Sequence, residues 1–152
     1  MSSKPTTADA ELIAKLYDLR REAEIRKARN WWLGFWPESA DDILKIATAL
    51  GTQENAWLRQ VGGYWEMAAS FVLHGALNRD LFLEPSFSGE MFLFFGKVQP
   101  FVKELREKMQ NPAIFANVEE LIATSTGGTE RLKQTQERMA MIRKAAQSAK
   151  AA

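Results

Sequence analysis

Residues 91–95, Met-Phe-Leu-Phe-Phe, are apolar on every side of a helix. Such a helix is stable only when neighbours cover its whole circumference, so the rest of the chain must wrap it. The flanking sequence is helical by pattern. Thr6 or Thr7 can cap a first helix whose opening turn holds Asp9 and Glu11, where the helix dipole favours acids. Leu12, Leu16, Leu19 and Ala23 form a seam as narrow as that of a helix paired with one other. Nothing before Pro37 interrupts the pattern, which predicts one helix over 7–36. Ser39 to Asp42 reads as a capping box with Asp in place of Glu, opening a short helix that ends before Gly51. Thr52 caps a helix over 53–76, closed by Gly75 and Asn78. Residues 83–90, LEPSFSGE, read as a break, after which Ser86 or Ser88 caps the aromatic helix. Pro100 kinks or divides that helix. Asn111–Pro112 reads as a cap followed by proline at the first helical position, and Gly127–Gly128 ends the helix so begun. A last helix, 129–149, carries the weak seam Leu132, Thr135, Met139, Ile142, Ala146 and Ala149.

No strand pattern and no internal repeat is present. The reading is all-α: a single helical domain over 1–152, a bundle of about six helices. Long terminal helices at 7–36 and 129–149 flank an aromatic-rich core at 39–125. A chain of 152 residues can bury about two-thirds of its unfolded surface, enough for such a core.

The residue inventory removes several chemistries. With no cysteine there is no disulfide, thiolate nucleophile or cysteine-bound metal. The single histidine, His74, leaves no His-x-x-x-His or Glu-x-x-His pair, so no metal site is expected. Gly62–Gly63 and Gly127–Gly128 follow no strand, which phosphate and dinucleotide loops require. No catalytic residue and no cofactor are assigned. The net charge of +1 divides into +2 over 1–36, −5 over 37–126 and +4 over 127–152. That is a weak footprint for nucleic acid, which is not expected as a partner. The N-terminus has no apolar signal core, and no run reaches the roughly 18 apolar residues of a membrane span. We expect a cytoplasmic protein, with peripheral membrane contact left open.

Two features are candidates for function. Residues 30–40, RNWWLGFWPES, place Trp31, Trp32 and Trp36 at the end of the first helix. Trp31 aligns with Phe35 and Trp32 with Trp36, making a broad aromatic face. That face can anchor the helix to the bundle, form an interface, touch a membrane surface or line a ligand pocket. Taken as an interface it joins the seam residues Leu12, Leu16 and Leu19. On helix 53–76, Arg59, Gly62, Gly63, Glu66, Ser70 and His74 fall within about 60° of one another. Arg59, Glu66, Ser70 and His74 thus make a polar stripe beside small residues, where a ligand or a neighbouring backbone can approach. The plain alternative is a solvated face.

Three segments, WLRQVGGYWEMAASFVLHGALNRDLF, SFSGEMFLFFGKVQPFVKELREK and NPAIFANVEELI, within residues 57–121, carry a resemblance. The shared features are an acid in an apolar helix (Glu66), the helix ending His74 to Asn78, and an aromatic run into a prolyl kink and arginine (Phe94, Pro100, Arg106). The segment closes on Phe115, Glu119 and Leu121. It resembles a family of small helical bacterial proteins of unknown function. The resemblance implies an N-terminal membrane segment, which members of such a family often carry, where this chain has an amphipathic helix. The resemblance implies no catalytic residues. It suggests Glu66 and Arg106 as a buried structural pair, since a buried glutamate needs a partner or a shifted pKa.

The sequence leads first to a non-enzymatic interaction or scaffold protein that self-associates or binds a protein partner. The alternative is a helical bundle binding a small apolar or aromatic ligand between helix 53–76 and the Phe-rich helix. An enzyme using the polar stripe ranks third.

Overall fold

Local caps set most helix starts. The computed structural model describes residues 3–152; residues 1 and 2 of the expected domain lie outside it. Helix α1 spans Thr7–Leu19 and opens on a full capping box: Asp9 N–H donates to the Thr6 hydroxyl, and Thr6 N–H donates to the Asp9 carboxylate. Helix α2 follows at Ala23–Gly34, α3 at Ala40–Thr48 and α4 at Gln53–Leu73. Ser39 caps α3, although Asp42 reaches back to Glu38 N–H and not to Ser39; Thr52 caps α4. Helix α5 is the single turn Arg79–Phe82, α6 is Pro85–Val98, and a 3-10 turn at Gln99–Phe101 carries Pro100. Helices α7 (Val102–Met109), α8 (Ala116–Thr124) and α9 (Gly128–Ala151) complete the order. The described residues hold nine α-helical segments and no strand.

The all-α class is as expected, and three boundaries are corrected. The predicted helix 7–36 is two helices. Nothing at residues 20–22 is glycine or proline; the break is held by side chains. Glu22 caps α2 by accepting from the N–H groups of Glu24 and Ile25. Arg26 and Arg29 donate to the freed carbonyls of Arg21 and Arg20, and the Tyr64 hydroxyl donates to that of Leu16. The break lets Arg20 turn inward. It is 6% exposed, stacks over Tyr17, Trp65 and Phe87, and donates to Phe87 O at 2.7 Å. Glu90 balances it and also takes a bidentate contact from Arg29 at 2.7 and 3.0 Å.

The second correction is at 83–90. Pro85 occupies the first turn of α6, so the break is only Leu83–Glu84, and neither Ser86 nor Ser88 caps. Ser88 instead donates back to Glu84 O. The third concerns Asn111–Pro112, which lies in a turn: α8 begins four residues later.

Helix α6 lies where its composition requires. Met91, Phe92, Phe94, Phe95 and Val98 are buried, with α9 packed along one side. Helices α2 and α8 pack on α4, and α3 bridges α4 and α7. The tryptophan cluster splits. Trp32 is buried against Phe94, ring centroids 4.8 Å apart, whereas Trp31 stacks on Phe35 at the half-buried edge. Trp36 covers the ammonium of Lys97, 4.0 Å from its ring.

Lys97 is 6% exposed and has no carboxylate partner; its ammonium donates to the carbonyls of Trp32, Leu33 and Phe35 at 2.7, 3.2 and 2.8 Å. These carbonyls end α2, where the dipole is negative. Burial, helped by the charge of Arg143, pulls its pKa from 10.5 down to about 8. Between pH 8 and 10.5 the unfolded chain then binds more protons than the folded one at this residue, so its contribution to stability rises with pH. Lys97→Met takes the ammonium from the Leu33 and Phe35 carbonyls, while Trp32 O keeps the Phe35 N–H, and costs about 1–3 kcal/mol. Urea titrations at pH 7.5 and 9.5 will show wild type gaining on the variant at the higher pH; a pH-independent difference would contradict this assignment.

Candidate functional site

The side chains that tie helix ends together on one side of α4 also border an open cavity of about 390 Å³. Its back wall is apolar and buried: Ile43 from α3, Leu58 and Gly62 from α4, and Leu105 from α7. Its front is half-buried: Ala47, Met109, Ile114 and Phe115. Three polar side chains of α4 border it, and each has a structural partner. Asn55, buried in the first turn, donates to the carbonyls of Ile46 and Ala47 and closes the end of α3. Arg59 donates through Nε to the Asn55 carbonyl oxygen at 3.0 Å. Glu66 accepts from the N–H groups of Val118 at 2.9 Å and Asn117 at 3.3 Å, and so caps α8 from another helix.

That cap explains the chain path between α7 and α8. Gln110 and Phe115 have φ of 51° and 52°, a conformation that costs a non-glycine residue about 1–3 kcal/mol. They bracket residues 111–114, of which Ala113 and Ile114 line the cavity. Phe115 lays its ring on Gly62 and meets Phe94 edge-on at 5.0 Å. Arg106 fixes the same segment by donating to Ile114 O at 2.9 Å, while its Nη1 pairs with Glu119 at 2.9 Å.

The expected Glu66–Arg106 pair is therefore corrected. Glu66 spends its oxygens on α8 amides, and Arg106 spends its donors on Ile114 and Glu119, leaving Nη2 buried without a partner. The two interact only through the longer-range field. Burial raises the pKa of Glu66, against the lowering effect of the two amides and of the Arg106 charge.

The polar stripe divides. Arg59 and Glu66 border the cavity; Ser70 and His74 lie further along α4 and do not. His74 Nδ1 is 2.9 Å from Ser70 O and 3.4 Å from its hydroxyl, an exposed local contact at the end of α4. Of the six seam and tryptophan residues, Leu16 and Trp32 are buried within the fold. Leu12, Trp31 and Trp36 are half-buried, and Leu19 is 39% exposed. Asn55 and Leu105 were not singled out from the sequence, and Phe115 entered only as part of the resemblance. Only Gly62 hinted at them, as a place on the stripe where something approaches α4 closely. Among the described residues no group of three or more His, Asp or Glu side chains is placed to hold a metal, and no helix is long and apolar enough to cross a membrane.

A family model described as "Domain of unknown function (DUF4760)" matches residues 5–125. The match takes in the 57–121 segment that carried the resemblance, runs from α1 through α8, and leaves α9 outside it. No curated protein and no solved structure matches the chain.

The two adjacent glycines of α4 give opposite predictions. A Cβ at Gly62 would lie 2.6 Å from Cε1 of Phe115, whose ring and backbone are both held. Gly62→Ala will cost about 1–3 kcal/mol through overpacking. A Cβ at Gly63 meets nothing within 4 Å, so Gly63→Ala will gain about 1 kcal/mol of helix propensity. Equal effects in denaturant titrations would contradict the packing of Phe115 on α4.

Proposed function

The chain belongs to the DUF4760 family, and we propose that it is a small-molecule-binding helical domain whose ligand occupies the cavity between α3, α4 and α7. The observation that carries this reading is the composition of that cavity. At about 390 Å³ it falls in the size range of ligand pockets, and its wall is apolar with two charged side chains at its edge. The strained, pinned segment 110–115 supports the same reading, since backbone strain concentrates where a shaped wall is needed. The sequence placed a ligand between helix 53–76 and the Phe-rich helix; that crossing is filled by Phe94 and Phe115, and the cavity lies on the α3–α7 side of α4.

The test is a fluorescence titration with anilinonaphthalene sulfonate, an aromatic probe that brightens in apolar sites. The folded protein is expected to bind one molecule saturably. Gly63→Trp places an indole at the cavity edge without a backbone clash and is expected to weaken binding at least about tenfold. No saturable binding, or binding indifferent to Gly63→Trp, would overturn the reading.

A second reading, self-association, draws on α9. Met141 and Ile142 are 69% and 64% exposed where that helix continues past α6. It moves the expected interface from the α1 seam to the C-terminal helix, because Leu16 is already covered. Sedimentation equilibrium is expected to give a multiple of the chain mass that Ile142→Glu lowers; a monomer at all concentrations would remove it. Both readings keep the expectation of a cytoplasmic bacterial protein.

A further inference from the structure

We propose that the cavity selects a monocarboxylic acid with a compact apolar body, its carboxylate held by Arg59 at the mouth and its apolar end directed toward Glu66. The inference rests on the cavity reading above and adds the ligand's chemical class.

Its basis is the placement of charge along α4. Arg59 and Glu66 are seven residues apart, about 10.5 Å along the helix axis. They border the same cavity and carry opposite charge. Their situations differ. Glu66 is half-buried, and its oxygens are committed to the amides of Asn117 and Val118. Arg59 is exposed, and only its Nε is committed, to Asn55. Asn55 is itself buried and fixed by two bonds to the end of α3, so it steadies the guanidinium. The two Nη groups, which donate in the fork geometry that matches a carboxylate, make no hydrogen bond in the fold. Between the two ends the wall is Leu58, Gly62, Leu105 and Phe115, which offer no hydrogen-bonding side chain. A ligand that satisfies this cavity is anionic at one end and apolar for the rest. A carboxylate at the other end would face the oxygens of Glu66 and be repelled, which disfavours diacids and fixes the orientation. A cationic ligand would face Arg59 at the entrance.

The experiment is a set of NMR chemical-shift titrations of the full chain with octanoate, 1-octanol and octylammonium, the same tail with three head groups. Wild type is expected to bind octanoate at least about tenfold more tightly than either of the others, the worth of a charge-assisted hydrogen bond. Arg59→Gln is expected to bring octanoate to the affinity of octanol and leave octanol unchanged. Arg59→Lys, which keeps the charge and loses the fork, is expected to fall between. Arg59 is exposed and hydrogen-bonds only to Asn55, so the variants are expected to retain the wild-type spectrum away from the cavity. Octanol binding as tightly as octanoate would overturn the head-group inference and leave the cavity reading standing. A preference for octanoate that survives Arg59→Gln would overturn the role of Arg59. Binding of none of the three would overturn the cavity reading and this inference with it.

Discussion

The carboxylate of Glu66 is the contact on which the candidate site depends. It reaches from the middle of α4 to the first amides of α8 and ends the turn that brings the chain back from α7. An uncapped helix start inside the fold would leave amides unpaired, each at a cost of about 1–3 kcal/mol. Meeting that need from α4 seats Phe115 on Gly62 and puts Phe115 and Ile114 in the wall of the cavity with Leu58. The carboxylate keeps its place although burial raises its pKa, because the amides and the Arg106 charge favour the ionised form. A half-buried acid that would read as a catalytic candidate is here a helix cap beside a pocket.

The same device recurs. Asn55 closes the end of α3, Lys97 closes the end of α2, and Arg20 takes a carbonyl in the first turn of α6. Each is a polar side chain, 6% exposed or less, that donates to backbone of another element. Short helices joined by tight turns put many helix ends inside the protein, and Asn55 and Lys97 satisfy two of them. The aromatic residues surround the cations for the same reason. Trp36 lies over Lys97, and Tyr17, Trp65 and Phe87 lie around Arg20. Three tryptophans within six residues thus cover a helix end and its counter-charge, with Trp32 carrying the anchor to the core.

What was legible in the sequence follows from the range of the forces involved. The caps at Thr6, Ser39 and Thr52 and the division at Pro100 are local chemistry, and all four are where the sequence puts them. The break at 20–22 was hidden because its cap is a glutamate and its other supports are arginines five and nine residues beyond the carbonyls they reach. The start of α8 was misplaced because its cap lies more than fifty residues upstream, and a proline at 112 offered a local signal that the fold does not use. Helix geometry did place Arg59, Gly62 and Glu66 on one face. It could not show that the opposing wall, α7 and residues 113–115, ends before Ser70 and His74.

The measurement that tests the account most directly is a pH titration followed by NMR at two nuclei, the side-chain carboxyl carbon of Glu66 and the amide of Val118. The account predicts that Glu66 titrates above the range of a free glutamate and that the Val118 amide shifts with the same midpoint, since the two share a hydrogen bond. A Glu66 that titrates as a free side chain, with a Val118 amide indifferent to it, would contradict the account.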